Sequence, residues 1–436
     1  MARHYLMVVK TALPLYVNTL VASVGALVNT ATLGRHGTSS LAAFAVAMAV
    51  YVPVVATVTG VMRGMMPYVS RHEDDPRRLG SLLSNGLWLG YTVGGAGALA
   101  VLGTRWLGGA AGVTAPTLQG LGILPGLLAL AVVAQSVGAS ASSTLVTLGR
   151  GSTVLRAGLV STTATVGLSA LLVLGPGPFP ALGVVGAGIA MLVAGVAYTA
   201  QVQLALRHIT GLHRTVLPGR PDRREIVLLA RTGLPMAGTV LIKFAVLGVL
   251  TFAAARLGTG QAAVHGVSES LVNIIYTVAV SIGQAVVPMV GRSMRAGDVD
   301  GVRRGAGAGA TVAVVWVGLL AGLAIVLGRW IAPLFSSDPA LQHDIRAMLP
   351  LVAFAVVTDA VQAVYGFGLL GLRRTFPGLV STALFFGLLC LVAVPVADAG
   401  GLPALWLALG MANLAQAISK AYFFHRLSGS TDRSPA

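Results

Sequence analysis

The stretch ALPLYVNTLVASVGALVNTATLGRHGTSSLAAFAVA, residues 12–47, holds no charged side chain apart from Arg35. Two apolar runs flank the polar turn Arg35-His36-Gly37-Thr38. A bilayer core takes about 20 apolar residues per helical crossing, and each run is that long once the second is followed on to residue 69. No water reaches the hydrocarbon region to satisfy backbone groups, so a long apolar run there is a helix or part of a closed barrel. Barrel strands alternate polar and apolar residues at every second position. These runs do not alternate, so they read as two transmembrane helices.

The same pattern extends along the chain. Of 436 residues, 56% are hydrophobic and only 10% charged, with a mean hydropathy of +0.85. Soluble domains carry about 25% charged residues, so this composition cannot cover a water-facing surface. The apolar runs predict twelve spans: 11–33, 40–69, 81–103, 117–148, 153–174, 181–206, 230–255, 260–290, 305–327, 347–370, 376–397 and 402–424. The fold class expected is an all-α polytopic membrane protein. The run after Lys10 lacks a small-residue cleavage site, which predicts a retained span and not a removed signal peptide. The single cysteine, Cys390, excludes an internal disulfide and reads as a small core residue.

The net charge of +16 is explained by topology. With the N-terminus inside, the inner loops and termini take most of the basic residues, Lys10 and Lys420 among them. The outer loops hold only Arg35, Arg105, Arg256, Arg329 and Arg346. Such a skew predicts both termini in the cytoplasm and no nucleic-acid partner. The partners expected are the bilayer, its anionic lipids and a small-molecule substrate.

Three short patterns recur at one offset of 221 residues, as Leu13-Pro14 and Leu234-Pro235, Arg35 to Thr38 and Arg256 to Thr259, and Pro67 to Arg71 and Pro288 to Arg292. Six spans per half is an even number, so the halves share one orientation. Parallel repeats of this kind belong to transporters with a cavity between two lobes. The organisation expected is an N-terminal lobe (1–206), a cytoplasmic connection (207–229), a C-terminal lobe (230–424) and a cytoplasmic tail (425–436). Gly-rich stretches such as 305–310 lie in apolar helices and read as close-packing surfaces, not phosphate loops.

Ionisable residues inside spans are functional candidates by default. Lys243 lies 12 residues from Arg231 and 13 from Arg256, roughly 18 Å from either and so near the midplane. Asp359 has a similar depth. Glu269 is nearer the outer surface, with His265 one turn before it. A charge at the bilayer centre costs at least about 2.5–3.5 kcal/mol on insertion scales, so these groups need partners or a wet cavity. Lys243 is expected to pair with Asp359 or with Glu269. It then stands in for a coupling cation, gains and loses a proton itself, or forms a static pair. His265 alone reads as a hydrogen-bonded structural residue, since one histidine makes no metal site. Tyr276 and Tyr365, with Gln284 and Gln362, are candidates to line a cavity or to hydrogen-bond neighbouring helices. Trp88, Trp106, Trp330 and Trp406 read as interface anchors or packing residues.

Residues 12–47 resemble the first two helices of the multidrug and toxic compound extrusion (MATE) family. GLPMAGTVLIKFAVLGVLTFAAARLGTGQAAVHGVSES (233–270) resembles its seventh and eighth helices. TDAVQAVYGFGLLGLRRT (358–375) resembles the tenth helix and the loop after it. The resemblance implies a two-lobe, twelve-helix exporter of cationic or amphiphilic compounds, driven by proton or sodium entry, with no prosthetic group and a monomeric state. Residues depart from the family pattern at three places. Asn29 stands where the first helix often has an acid, Thr165 and Ser169 replace polar helix-5 residues, and Lys243 stands where many bacterial members carry a glutamate. Asp359 keeps the tenth-helix acid. Asn29 joins the cavity candidates on this basis. A flippase for a lipid-linked precursor, from the same broader superfamily, is the alternative. It calls for several basic residues in the cavity, against one midplane lysine and two acids here. An integral membrane enzyme is disfavoured, because no HExxH or nucleophile constellation occurs. An ATP-driven pump is disfavoured because no Walker-type loop occurs.

Overall fold

The structure, a computed structural model, describes residues 2–175, 181–211 and 219–429. Among the described residues there is no strand. The helices are α1 (Ala2–His36), α2 (Thr38–Met62), α3 (Met66–Val69), α4 (Pro76–Leu102), α5 (Thr104–Ala110), α6 (Ala115–Gly120), α7 (Leu124–Thr147) and α8 (Gly151–Leu174). They continue as α9 (Gly183–Thr210), α10 (Arg223–Arg256), α11 (Thr259–Arg295), α12 (Val299–Val326), α13 (Gly328–Phe335), α14 (Pro339–Gly371) and α15 (Phe376–Ser428). A single 3-10 turn, Arg63–Met65, joins α2 to α3.

Among the described residues, ten helices are long and apolar enough to cross a membrane, and the bent pair α4 and α5 makes an eleventh span. The twelfth is hidden in α15. Straight, its 53 residues would reach roughly 80 Å, more than twice a bilayer core. The break is Gly401, at φ 66° and ψ −163°. That left-handed φ is open to glycine without steric penalty. Thr382 Oγ1 nonetheless donates to Gln416 Oε1 at 3.0 Å, across 34 residues of sequence. Such a contact closes only if the chain folds back on itself at Gly401. Large apolar side chains cover the outside of these helices, with Leu391 77% and Phe252 76% exposed. Lipid, not water, suits that surface.

Several helices begin earlier than the apolar runs predict, and capping supplies the reason. Asp75 accepts from the backbone N–H of Arg77 and Arg78, with Pro76 in the first turn, so α4 starts at Pro76 and not at 81. Asp298 and Asp338 cap α12 and α14 in the same way, at Val299 and Pro339. The run 117–148 divides at Gly122, φ 49°, into α6 and α7. The polar connection is shorter than the expected 207–229, because α9 runs to Thr210 and α10 begins at Arg223. Arg214 in that connection, and the tail from residue 430, lie outside the described residues.

The residues pack as two compact units, one of Val17–Ala237 and one of Gly238 onward with the segment up to Tyr16. Their boundary falls within α10. The first turns of α10 are fastened to the preceding unit by Tyr68, whose hydroxyl lies 2.9 Å from Thr232 Oγ1. They are also held by a backbone crossing at Gly64 and Gly233. A Cβ on Gly233 would stand 2.2 Å from the Val61 carbonyl oxygen. Only small residues let two helices approach that closely. The core of this unit gathers around Leu33, Phe44, Leu124 and Leu128. The other unit has one core around Ile282, Val286, Val356 and Phe424 and another around Leu250, Ile345, Phe386 and Trp406. The sequence repeat has a counterpart here, since Gly37 caps α2 and Gly258 caps α11.

Candidate functional site

Asp359 and Gln362 sit one turn apart on α14, a spacing that puts both on one face. Both are buried. Lys243 on α10 donates to Asp359 Oδ2 at 2.5 Å. Gln362 Nε2 donates to the other oxygen, Asp359 Oδ1, at 2.6 Å. Each carboxylate oxygen therefore accepts an N–H bond. The Lys243 ammonium also lies 3.3 Å from the centre of the Tyr276 ring on α11, a cation–π arrangement. Its side chain is 21% exposed, against 3% for Asp359. Lys243 thus meets Asp359, while Glu269 is drawn elsewhere.

The network continues through a residue that the charge pattern misassigns. Lys420, counted above among the inner-side topology charges, is buried at 4% exposure. Its Nζ donates to Gln362 Oε1 and, at 3.2 Å, to Gln416 Oε1. Gln416 also accepts from Thr382. The physical reason is helical phase. Asn413, Gln416 and Lys420 follow at i, i+3 and i+7 and share one face of α15, which is buried. That polar stripe inside an apolar span was the available signal. Among the described residues, Asn413 Oδ1, Ser381 Oγ and Gln416 Nε2 are buried without a hydrogen-bond partner.

His265 occupies a separate cluster. The indole N–H of Trp406 donates to His265 Nδ1 at 3.2 Å. An indole nitrogen only donates, so Nδ1 accepts and the ring proton lies on Nε2. That nitrogen faces Thr251 Oγ1 at 3.3 Å and Glu269 Oε2 at 3.9 Å. Trp406 is thereby a core residue at 1% exposure, while Trp106 and Trp330 stay exposed. Tyr365 stacks on Phe424 with ring centres 5.8 Å apart, and Gln284 is half-buried on α11. In the other unit, Asn29 accepts from Ser169 at 3.0 Å, and Thr165 bonds back to its own helix at Ser161. That polar spot contains no charge. Among the described residues, no cluster of three or more His, Cys, Asp or Glu side chains could hold a metal ion.

Twelve spans in two compact units, with a lysine–aspartate pair buried in one of them, define a polytopic helical membrane transporter. The MatE family model matches residues 235–396, which contain Lys243 and Asp359. A probable multidrug resistance protein NorM of Aromatoleum aromaticum is 28% identical over 400 residues, covering 86% of this chain and 83% of that protein. Another, of Chromobacterium violaceum, is 26% identical over 439 residues, covering 96% and 92%. The fold matches the eukaryotic MATE transporter AtDTX14 with a TM-score of 0.85 at 16% identity, over 99% of this chain and 98% of that one. It matches an outward-facing multidrug resistance MATE family transporter of the MOP superfamily at 0.87, also with 16% identity, over 99% and 97%. The chain is thus similar to the MATE family in sequence over residues 235–396 and shares the fold of MATE transporters over nearly its whole length.

Proposed function

We propose that the chain exports small organic compounds, cationic or amphiphilic, by alternating access, in exchange for protons entering through its second unit. It works in the bacterial inner membrane with both termini in the cytoplasm, as a transporter and not an enzyme. Relatives named multidrug resistance proteins support the export reading. One observation supports the choice of ion. Lys243 already occupies the cation position against Asp359, and both carboxylate oxygens accept N–H bonds. Sodium prefers a shell of oxygen ligands and would have to displace these donors. A proton needs no such shell.

The test is export of a fluorescent cationic dye from inverted vesicles, under a proton gradient and then a sodium gradient. Wild type and Asp359→Asn run side by side. Proton-driven export that the substitution abolishes supports the reading. Export indifferent to both gradients and to the substitution would falsify it and make the pair structural. Absence of dye export altogether would redirect the search to a narrow native substrate or a lipid-linked one.

A further inference from the structure

Lys420 has no part in the reading above, yet it is the second buried lysine of the same network. It donates to two amide oxygens, those of Gln362 and Gln416. Among the described residues, no carboxylate accepts from it directly. A neutral amine has two N–H donors and an ammonium three. The two amide oxygens therefore satisfy both N–H donors of the neutral form and leave one N–H of the ammonium over. This geometry accommodates either state.

Charge counting favours a change of state. The run Lys243–Asp359–Gln362–Lys420–Gln416–Thr382 contains two lysines and one carboxylate. With both lysines protonated it carries one unmatched positive charge inside the membrane; with Lys420 neutral it carries none. The charged and titratable groups around Lys420 are few. Asp359 on α14 and Lys243 on α10 act on it electrostatically. Tyr276 on α11 lies under Lys243. Tyr365 on α14 stacks with His425 one turn beyond on α15. Arg303 on α12 holds the end of α15 through the His425 carbonyl and Ser428.

We propose that Lys420 takes up and gives back the proton exchanged in each transport cycle, with Gln362 as the positioning residue that ties its state to the Lys243–Asp359 pair. In the releasing step Lys420–NH3+ becomes Lys420–NH2 and the proton passes to water, with no other bond broken. A cationic substrate and the second ammonium compete for the single negative charge of Asp359. Each therefore weakens the other's binding, and such coupling is reciprocal. The inference rests on the export reading.

The experiment uses the full chain in liposomes as wild type, Lys420→Arg and Lys420→Met. Arginine keeps the charge and the donors, but its guanidinium does not give up a proton. Lys420→Met should still exchange labelled for unlabelled dye across the membrane, and Lys420→Arg should do so more weakly, because its fixed charge competes with the cationic dye. Neither should concentrate dye under a proton gradient, and the pH dependence of export should be lost. A lysine that merely holds helices together would be rescued by arginine. Gradient-driven export by Lys420→Arg with the wild-type pH profile overturns the inference and leaves the export reading standing. If Lys420→Met fails to accumulate, Lys420→Arg decides alone. If wild type shows no gradient-driven export, the export reading falls and takes the inference with it.

Discussion

Replacing Lys243 with methionine keeps most of the length of the side chain and removes its charge. Among the described residues, Asp359, 3% exposed, then keeps only Gln362 as a donor. Breaking a buried ion pair from one side costs about 3–5 kcal/mol, because the remaining charge is desolvated without compensation. The reverse change, Asp359→Asn, is milder. It leaves the less buried partner, the ammonium, still over the Tyr276 ring, a contact worth roughly 0.5–2 kcal/mol. The double variant Lys243→Met/Asp359→Asn removes both charges and keeps an oxygen for Gln362. Uncharged replacements of a buried pair are often close to neutral, so the double variant should recover most of the stability lost in Lys243→Met. Unfolding of the purified protein in mixed detergent–SDS micelles, followed by circular dichroism, reads this directly. The expected order of stability is wild type, then the double variant and Asp359→Asn close together, then Lys243→Met lowest. A double variant no more stable than Lys243→Met would mean that the pair is not energetically coupled, and the reasoning fails.

Other parts of the structure carry expectations of their own. Trp406→Phe keeps the ring but removes the donor to His265, so stability should fall by about 1–3 kcal/mol in the same unfolding assay. Glu225→Gln should loosen the connection before α10, since Glu225 accepts from Ser81 at 2.6 Å and Asn85 at 2.5 Å and pairs with Arg78 at 3.3 Å. Faster tryptic cleavage at Arg223 or Arg224 is the readout, and an unchanged rate would assign the fastening to other contacts. Gly233→Ala brings a methyl against backbone that cannot yield as a side chain would. Overpacking of this kind costs about 1–3 kcal/mol or more, visible as a lower unfolding midpoint and a lower yield of folded protein.

The apolar runs and the offset repeat made the helices and their number legible, because a bilayer leaves the backbone little choice. The Lys243–Asp359 contact was half legible. A charge within an apolar run demands a partner, but spacing alone left Asp359 and Glu269 as equal candidates. Which acid meets the lysine depends on how α10 and α14 pack. Lys420 was not legible by charge counting. It lies six residues before Arg426, where a basic residue ordinarily marks the water boundary. Only the phase of α15 turns it inward, and the polar stripe Asn413, Gln416 and Lys420 records that phase. Helix starts were misplaced toward the apolar residues because the apolar runs do not mark the capping aspartates, which carry the helices out into water.

The fold-back at Gly401 gives the last two spans a shared ruler. No loop stands between them to absorb a change in length. One residue inserted or deleted beside Gly401 would turn the final helix by about 100° relative to its neighbour. Thr382 would then lose Gln416, and Lys420 would swing away from Gln362. Insertions and deletions should therefore be tolerated in the connection between α9 and α10 and rejected at this hairpin, which also makes it a poor place for a tag or an engineered epitope.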